Sequence, residues 1–524
     1  MNKHYFTLQK CDKKCKVINT IFLICQKYLN YNGSIQKVFG HHLSKLFKMQ
    51  QSKLIEVFFS LTSTERTALR KFVHSPYFNK REDVILLLDY LEKSDNEKTE
   101  HLSKEKTFAA IFPDENYGKE SDGLLRYAMS FLLKLIEEFL IVREASQNEL
   151  QSKIHLSAAY RRRHLGKHFK QSLEQAKIHL EKVPFRDFNY YESLFRIEQE
   201  KYLFTGDTQR NAPRNLQELS DTLDIQYIAA KLKQSCLLLA HQTVYKIGYE
   251  TGLLDKLLEY VEQTPKLLEH RAIALYFYYY RAVTTDGEDY FNRYKDMLLD
   301  SDSLFPALEM RDLHIFALNY CTKKVNLQQH GFDNYFKIML ELYKAGLKQG
   351  FWLEDGQLNP FIFKNIVSVA LWLKEFDWTA KFIRDFQQYL AVQHRTAYVN
   401  FALSKLCFDQ KQYDEARILL QKVEYSDIFL NLNTKVMLMK IYYELDEYDV
   451  LESFLASFRT FVNRKKQSGE LQTYHHENYL NIIRLAQKLL AFNPFDKAEK
   501  KKLKEEISGT KVLTEREWLL EQIR

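Results

Sequence analysis

Tyr398-Val399-Asn400-Phe401-Ala402-Leu403-Ser404-Lys405-Leu406-Cys407-Phe408, followed closely by Tyr413-Asp414-Glu415-Ala416-Arg417-Ile418-Leu419-Leu420, is the stretch whose reading decides the fold. Apolar residues recur at helical spacing in both runs, which predicts two helices joined by a short polar turn. Such a pair closes as a helical hairpin. Thirty-five residues later Leu438, Tyr442, Tyr448, Leu455 and Phe458 occupy the corresponding positions, with Leu451 where the first unit has Ala416.

Residues 397–431 resemble a tetratricopeptide unit, a helix pair of about 34 residues in which small and large side chains alternate so that one helix nests into its mate and into the next pair. Leu403 and Ser404 match the large-small pair of the first helix, Tyr413 the aromatic at the turn, Ala416 the small residue of the second helix, and Leu420 and Val423 its apolar face. Upstream, Asn365–Phe386 is a third candidate with two phases. Anchored on Trp378, it puts Lys381 and Asp385 at core positions; anchored on Phe376, it puts Thr379, Ile383 and Phe386 there and stretches the period to 37 residues. The second phase buries no charge and is adopted. Arrays need several stacked units to cover their faces, so the preceding helices are expected to complete an α-solenoid with pairs too divergent to show the pattern.

Composition agrees with an all-α chain. Only 15 Gly and 8 Pro punctuate 524 residues, so long uninterrupted helices are expected. The 33 Tyr and 37 Phe supply large side chains for interlocking helices. The net charge of +8 suggests nucleic acid until it is located: residues 1–48 hold nine Lys and one acid, Asp12, which leaves 67 basic and 67 acidic residues from Met49 onward. A neutral body has little electrostatic reach for a phosphate backbone. Nucleic acid is therefore not the expected partner.

Residues 1–48 read as a leader, either disordered or upstream of a natural start at Met49. Its apolar run, Val17 to Cys25, follows Lys13, Lys14 and Lys16 like a secretory signal, but no small-residue cleavage site follows it and it is too short to span a bilayer. Cys236, Cys321 and Cys407 are scattered through helical patterns, as buried free thiols in a reducing compartment would be. A cytoplasmic location is expected, with no membrane span.

Elsewhere the expectations are equally helical. Thr62 and Glu65 have capping-box spacing, so a helix should start there. Leu124, Ala128, Phe131, Leu132, Leu135, Ile136, Phe139 and Leu140 mark a helix over 124–142 with a broad buried face. Tyr276 to Tyr280 place five aromatics on every side of one helix, which should lie between neighbours. Polar breaks at Ser94–Thr99, Thr205–Asn215, Thr284–Asp289, Asp300–Pro306, Gln349–Pro360 and Arg464–Glu470 are spaced as hairpin connectors, and no stretch reads as strand. The organisation expected is a leader (1–48), an N-terminal helical unit (49–145), a divergent hairpin array (146–350), tetratricopeptide-like repeats (351–490) and a C-terminal helical segment (491–524).

Ser75-Pro76-Tyr77-Phe78-Asn79-Lys80, Leu223-Asp224-Ile225 with Tyr227, Lys231, Leu232 and Cys236, Phe363 with Asn365-Ile366-Val367, and Trp518-Leu519-Leu520 carry a second resemblance. By them the chain from Met49 onward is similar to an uncharacterised family of helical proteins from Bacteroidota-type bacteria. That resemblance implies a fold and a start near Met49, and no activity.

Chemistry was sought in several motifs. His475-His476-Glu477 opens like a zinc-protease helix, but Leu480 stands where the second ligand belongs. Asp300-Ser301-Asp302-Ser303-Leu304 opens like a calcium loop without its fifth-position oxygen or its turn glycine. Cys11, Cys15, His41 and His42 match no compact zinc site. No phosphate-binding glycine pattern and no nucleophile elbow occurs, so no metal, cofactor or catalytic residue is expected. Arg161–Arg163 and Lys500–Lys502 with Lys504 read as solvated helix faces.

The function expected is a protein–protein interaction scaffold. Carrying the tetratricopeptide pattern onto the two clear units puts Tyr398, Phe401, Lys405, Phe408, Lys440 and Tyr443 on the surface lined by first helices, where aromatics interleaved with Lys suit an extended segment with apolar and acidic groups. Phe401 and Phe408 have an alternative role as packing between repeats. A nucleic-acid-associated regulator would instead need a contiguous basic face, and a helical enzyme a buried cluster of titratable groups with shifted pKa values.

Overall fold

In a computed structural model, residues 52–94, 102–118, 121–208, 214–245, 247–301, 304–327, 332–421, 427–493 and 495–523 are described. The leader 1–48, residues 95–99, Asp302, Ser303 and Val423 lie outside them. The described residues are almost wholly helical, and their helices follow one another as hairpins. No helix among them is long and apolar enough to cross a membrane.

The chain divides into two compact units. Among the described residues, one comprises 52–183 and 190–223. Its first helices are α1 (Lys53–Ser60), α2 (Ser63–Val73), α3 (Glu82–Ser94), α4 (Lys104–Ile111) and α5 (Ser121–Gln147). The capping box starts α2 as expected: the Thr62 hydroxyl accepts from the Glu65 amide at 3.3 Å, and the Glu65 carboxylate accepts from the Thr62 amide at 2.7 Å. Leu125, Ala128, Leu132, Leu135, Ile136 and Phe139 of α5 are buried along one face of the helix, against α1 to α4. The seam enters through Leu125; Leu124, expected to be buried, is exposed in the first turn of the helix, at the edge of that stripe. The hairpin α6 (Glu149–Arg162) and α7 (Gly166–Lys182) carries a second core with Ile197, from α8 (Phe188–Thr208). This unit runs past the boundary expected at 145.

The other unit comprises residues 184–189 and 224–524, so the array expected over 146–350 is shared between the two. Here lie most of α9 (Leu216–Tyr245), then α10 (Leu254–Gln263), α11 (Arg271–Thr285), α12 (Glu288–Leu299), α13 (Ala307–Asn326) and α14 (Asp333–Gln349). Four of the five neighbouring aromatics of α11, Tyr276 to Tyr279, are buried, and Tyr280 is half-buried. Tyr279 stacks on Phe316 and Phe291 on Tyr320, with ring centres 4.6 and 4.0 Å apart.

After α14 the chain forms a two-residue hairpin, β1 (Leu353–Glu354) against β2 (Gln357–Leu358), where no strand was expected. Asp355 and Gly356 turn it with positive φ of 49° and 75°, the dipeptide and conformation of a type I′ turn. Then follow α15 (Pro360–Trp372), α16 (Phe376–Phe386), α17 (Val392–Asp409), α18 (Tyr413–Gln421), α19 (Ile428–Glu444), α20 (Tyr448–Gln467), α21 (Thr473–Ala491), α22 (Lys497–Gly509) and α23 (Arg516–Glu521).

The hairpins α15–α16, α17–α18 and α19–α20 close through one turn used three times. Lys374, Lys411 and Asp446 adopt the left-handed conformation, and the next amide bonds five residues back: Glu375 to Ala370, Gln412 to Cys407, and Glu447 to Tyr442, at 3.0, 2.8 and 3.0 Å. This Schellman closure satisfies carbonyls that a helix end leaves open. The second helix then begins at Phe376, Tyr413 or Tyr448, so the phase anchored on Phe376 is the observed one. Counting from those aromatics, Thr379, Ala416 and Leu451 are fully buried, as are Ile383, Leu420 and Leu455 one turn later, while Lys381 is exposed. First helices also touch one another, α15 with α17 and α17 with α19, which creates a face common to successive hairpins.

Candidate functional site

Tyr398, Phe401, Lys405 and Phe408 recur at helical spacing along one side of α17, and Lys440 and Tyr443 do so on α19. The structure brings the last part of this set together. Lys405 Nζ donates to Ser368 Oγ of α15 at 3.0 Å, and Lys440 Nζ stands 4.6 Å from the centre of the Phe408 ring. Tyr398 and Phe401, expected on an open surface, are 4% and 6% exposed. Tyr398 packs its ring edge-on to Phe361 at 6.1 Å, and burial pushes its hydroxyl well above the usual range. Tyr398 thus packs against the neighbouring hairpin, and Phe401 is likewise buried.

What covers the rest is the chain's own C-terminus. Glu515 Oε2 lies 2.9 Å from Lys440 Nζ. Trp518 Nε1 donates to Glu444 Oε1 at 2.8 Å, Gln522 Nε2 donates to the same oxygen at 2.9 Å, and the indole meets Tyr443 edge-on at 5.4 Å. Leu513, Leu519 and Ile523 bury their side chains beside them. The face proposed from sequence is thus a bound site, not an open groove. Its counterpart was partly visible: Trp518-Leu519-Leu520 stood out as a motif, but nothing in the spacing joined it to residues 75 positions away.

The electrostatics favour an acid at this place. Burial would raise the Glu515 carboxyl, but Lys440, by charge and hydrogen bond, and Lys405 outweigh it and hold the group below its ordinary range. Burial draws the Lys405 ammonium down, Asp409 and Glu515 pull it back, and Lys440 opposes them. Glu444 is shared as well: its second oxygen accepts from the Tyr413 hydroxyl at 3.2 Å.

A second convergence of titratable groups lies on α9, α11 and α13. Glu309 accepts from the Tyr276 hydroxyl at 2.5 Å and faces Lys233 Nζ at 2.9 Å, while Cys236 Sγ approaches the Tyr276 carbonyl at 3.3 Å. Burial pushes both the Cys236 thiol and the Tyr276 hydroxyl well up, which disfavours the thiolate and phenolate that chemistry would need. Both Glu309 oxygens are engaged internally, so the cluster binds helices to one another.

The remaining sequence candidates also find internal partners. His475 is buried against Phe429, and His476 Nε2 pairs with Asn463 Oδ1 at 2.9 Å. Arg161 Nε donates to Glu200 at 2.9 Å, so the Arg161–Arg163 cluster is not wholly a solvated face. Lys501 and Lys502 are exposed and Lys500 is half-buried. No group of His, Cys, Asp and Glu that could hold a metal ion occurs among the described residues. In comparison with known proteins, no family model, no curated protein and no solved structure matches this chain.

Proposed function

We propose that the chain is a protein–protein interaction scaffold, with α15 to α20 forming a tetratricopeptide-like array that receives a short helical segment on the face shared by its first helices. One observation carries this reading: the face already holds such a segment, residues 511–523, through an ion pair and an indole. Helix-in-groove recognition uses this kind of anchor, an aromatic set among polar groups that fix its register. The free thiols Cys236, Cys321 and Cys407 support a reducing, cytoplasmic setting.

The test is affinity capture by the full chain from its native cells, repeated with Lys405→Glu/Lys440→Glu after circular dichroism has shown the variant folded. Partners held by the native chain and lost from the variant support the reading. Partners retained by the variant remove this face from it, and capture of none removes the scaffold.

A further inference from the structure

We infer that the face of α17 and α19 reads one short motif, a carboxylate in the turn that opens a helix and an indole three residues on in its first turn, and that residues 511–523 fill it in cis as a displaceable stand-in for a partner segment of the same chemistry. The inference rests on the scaffold reading above and specifies what such a scaffold would bind.

The first support is charge. Lys405 and Lys440 converge on the site, and the opposing charge that the array itself supplies to both is Asp409. Lys440 is 9% exposed, and its carboxylate partner at hydrogen-bond distance, Glu515, comes from the C-terminal segment. An ammonium buried that far is costly without a counter-charge, so an occupant that covers Lys440 as this segment does has to bring an acid with it.

The second support is that the receiving groups are positioned by the array. Ser368 holds the Lys405 ammonium, Tyr413 holds the Glu444 carboxylate, and Phe408 lies under Lys440. A site with prearranged donors and acceptors loses little order on exchanging one occupant for another. Glu444 then offers its free lone pairs to any indole N–H presented as Trp518 presents its own.

The third support is the way the segment is attached. The Arg516 guanidinium donates to the carbonyls of Ile507, Ser508 and Thr510, which ties the segment to the end of α22. These anchors are separate from the contacts with α19. The Glu515 side chain keeps 36% of its surface exposed, so its ion pair is open to screening by salt. A cis occupant held in this way weakens a competing ligand by the reciprocal of the fraction of time the site stands empty, and weakening the occupant restores the affinity.

The experiment uses a fluorescent synthetic peptide with the sequence of residues 510–524 as probe and the full chain as receptor. Fluorescence anisotropy is expected to show at least tenfold tighter binding to the Trp518→Ala chain than to the native chain. Adding Lys440→Glu to that receptor, or placing Gln and Ala at the peptide's Glu515 and Trp518 positions, is expected to abolish it. Should Trp518→Ala fail to fold by circular dichroism, Glu515→Ala serves, because that side chain is partly exposed and its loss weakens the occupant by removing the ion pair to Lys440. A folded receptor variant that binds no peptide, or binds it regardless of Lys440→Glu, overturns the inference. So does a native chain that runs as a dimer dissociated by the peptide, since the occupant is then a second copy. Peptide binding without any captured cellular partner would keep this site and remove the scaffold; capture without peptide binding would do the reverse.

Discussion

Lys440 on α19 and Glu515 at the head of α23 are 75 residues apart in sequence, and their charged atoms meet at 2.9 Å. Charge reversal at Lys440 would set two carboxylates against each other on a face built for one. In Lys440→Glu, amides from Leu513 to Gln522 are expected to exchange with deuterium about tenfold faster, roughly 1.4 kcal/mol of lost protection, while α22 stays protected through the Arg516 anchors. High salt should move the native protein in the same direction by less, because the pair is partly exposed. Unchanged exchange would mean that apolar burial of Leu513 and Leu519 alone holds the segment.

Lys411 turns α17 into α18 with a φ of +62°, a conformation that costs a residue with a Cβ roughly 1–2 kcal/mol. Glycine removes that cost but adds about 0.5–1 kcal/mol of chain entropy to be lost on folding. Lys411→Gly is accordingly expected to stabilise by a few tenths to about 1 kcal/mol, and Lys411→Val to destabilise by more than 1 kcal/mol. Chemical denaturation midpoints compare the two. Equal midpoints would show that the turn relaxes to suit its occupant.

These turns show how much of the fold was readable and why the rest was not. The aromatic after each turn and the apolar positions at helical spacing expose the hairpins, because burying a face imposes a period on the residues. The turn residue itself is hidden: Lys374, Lys411 and Asp446 stand where glycine is the usual signal. Asp355-Gly356 was the opposite case, a turn signal passed over because the strands it joins have only two residues each. At the site, Lys405, Phe408, Lys440 and Tyr443 were set on one surface by carrying over the tetratricopeptide pattern. Glu444, Glu515 and Trp518 did not, since which face receives the C-terminus depends on contacts between residues distant in sequence. The same ignorance made Tyr398 and Phe401 look like surface.

Gly346 lies inside α14 with the rings of Phe351 and Trp352 folded back over it after the left-handed turn at Gly350. A Cβ there would sit inside van der Waals contact with both rings. Trp352 is 1% exposed and its Nε1 donates to the Tyr343 carbonyl at 3.2 Å, so it has nowhere to go. Helix propensity favours alanine over glycine by about 1 kcal/mol, and overpacking costs about 1–3 kcal/mol. Overpacking should win. Gly346→Ala is expected to lower stability by about 1–2 kcal/mol in urea titrations; a more stable variant would show that the indole shifts freely.

His314 on α13 is fully buried, its Nδ1–H donating to the Met310 carbonyl at 2.9 Å while the ring lies against Phe351 at 4.5 Å between centres. Burial lowers its pKa from 6.5 to about 4, against a smaller upward pull from the bond to Met310. Above pH 6.5 the imidazole is neutral in the folded and unfolded chain alike, and no stability depends on it. As the pH falls from 6.5 towards 4, the unfolded chain takes up a proton that the folded chain refuses. Stability therefore falls over that window by about 1.4 kcal/mol per unit, on the order of 3 kcal/mol in all, and this contribution levels off below pH 4. His270 and His475, also lowered by burial, add a loss of the same sign. The quantity to measure is therefore the difference between native and His314→Leu denaturation midpoints at intervals from pH 7 to pH 4. The variant should gain on the native protein steadily as the pH drops. A constant difference would mean that the ring is hydrated or reaches a proton acceptor, and that its burial does not set its charge.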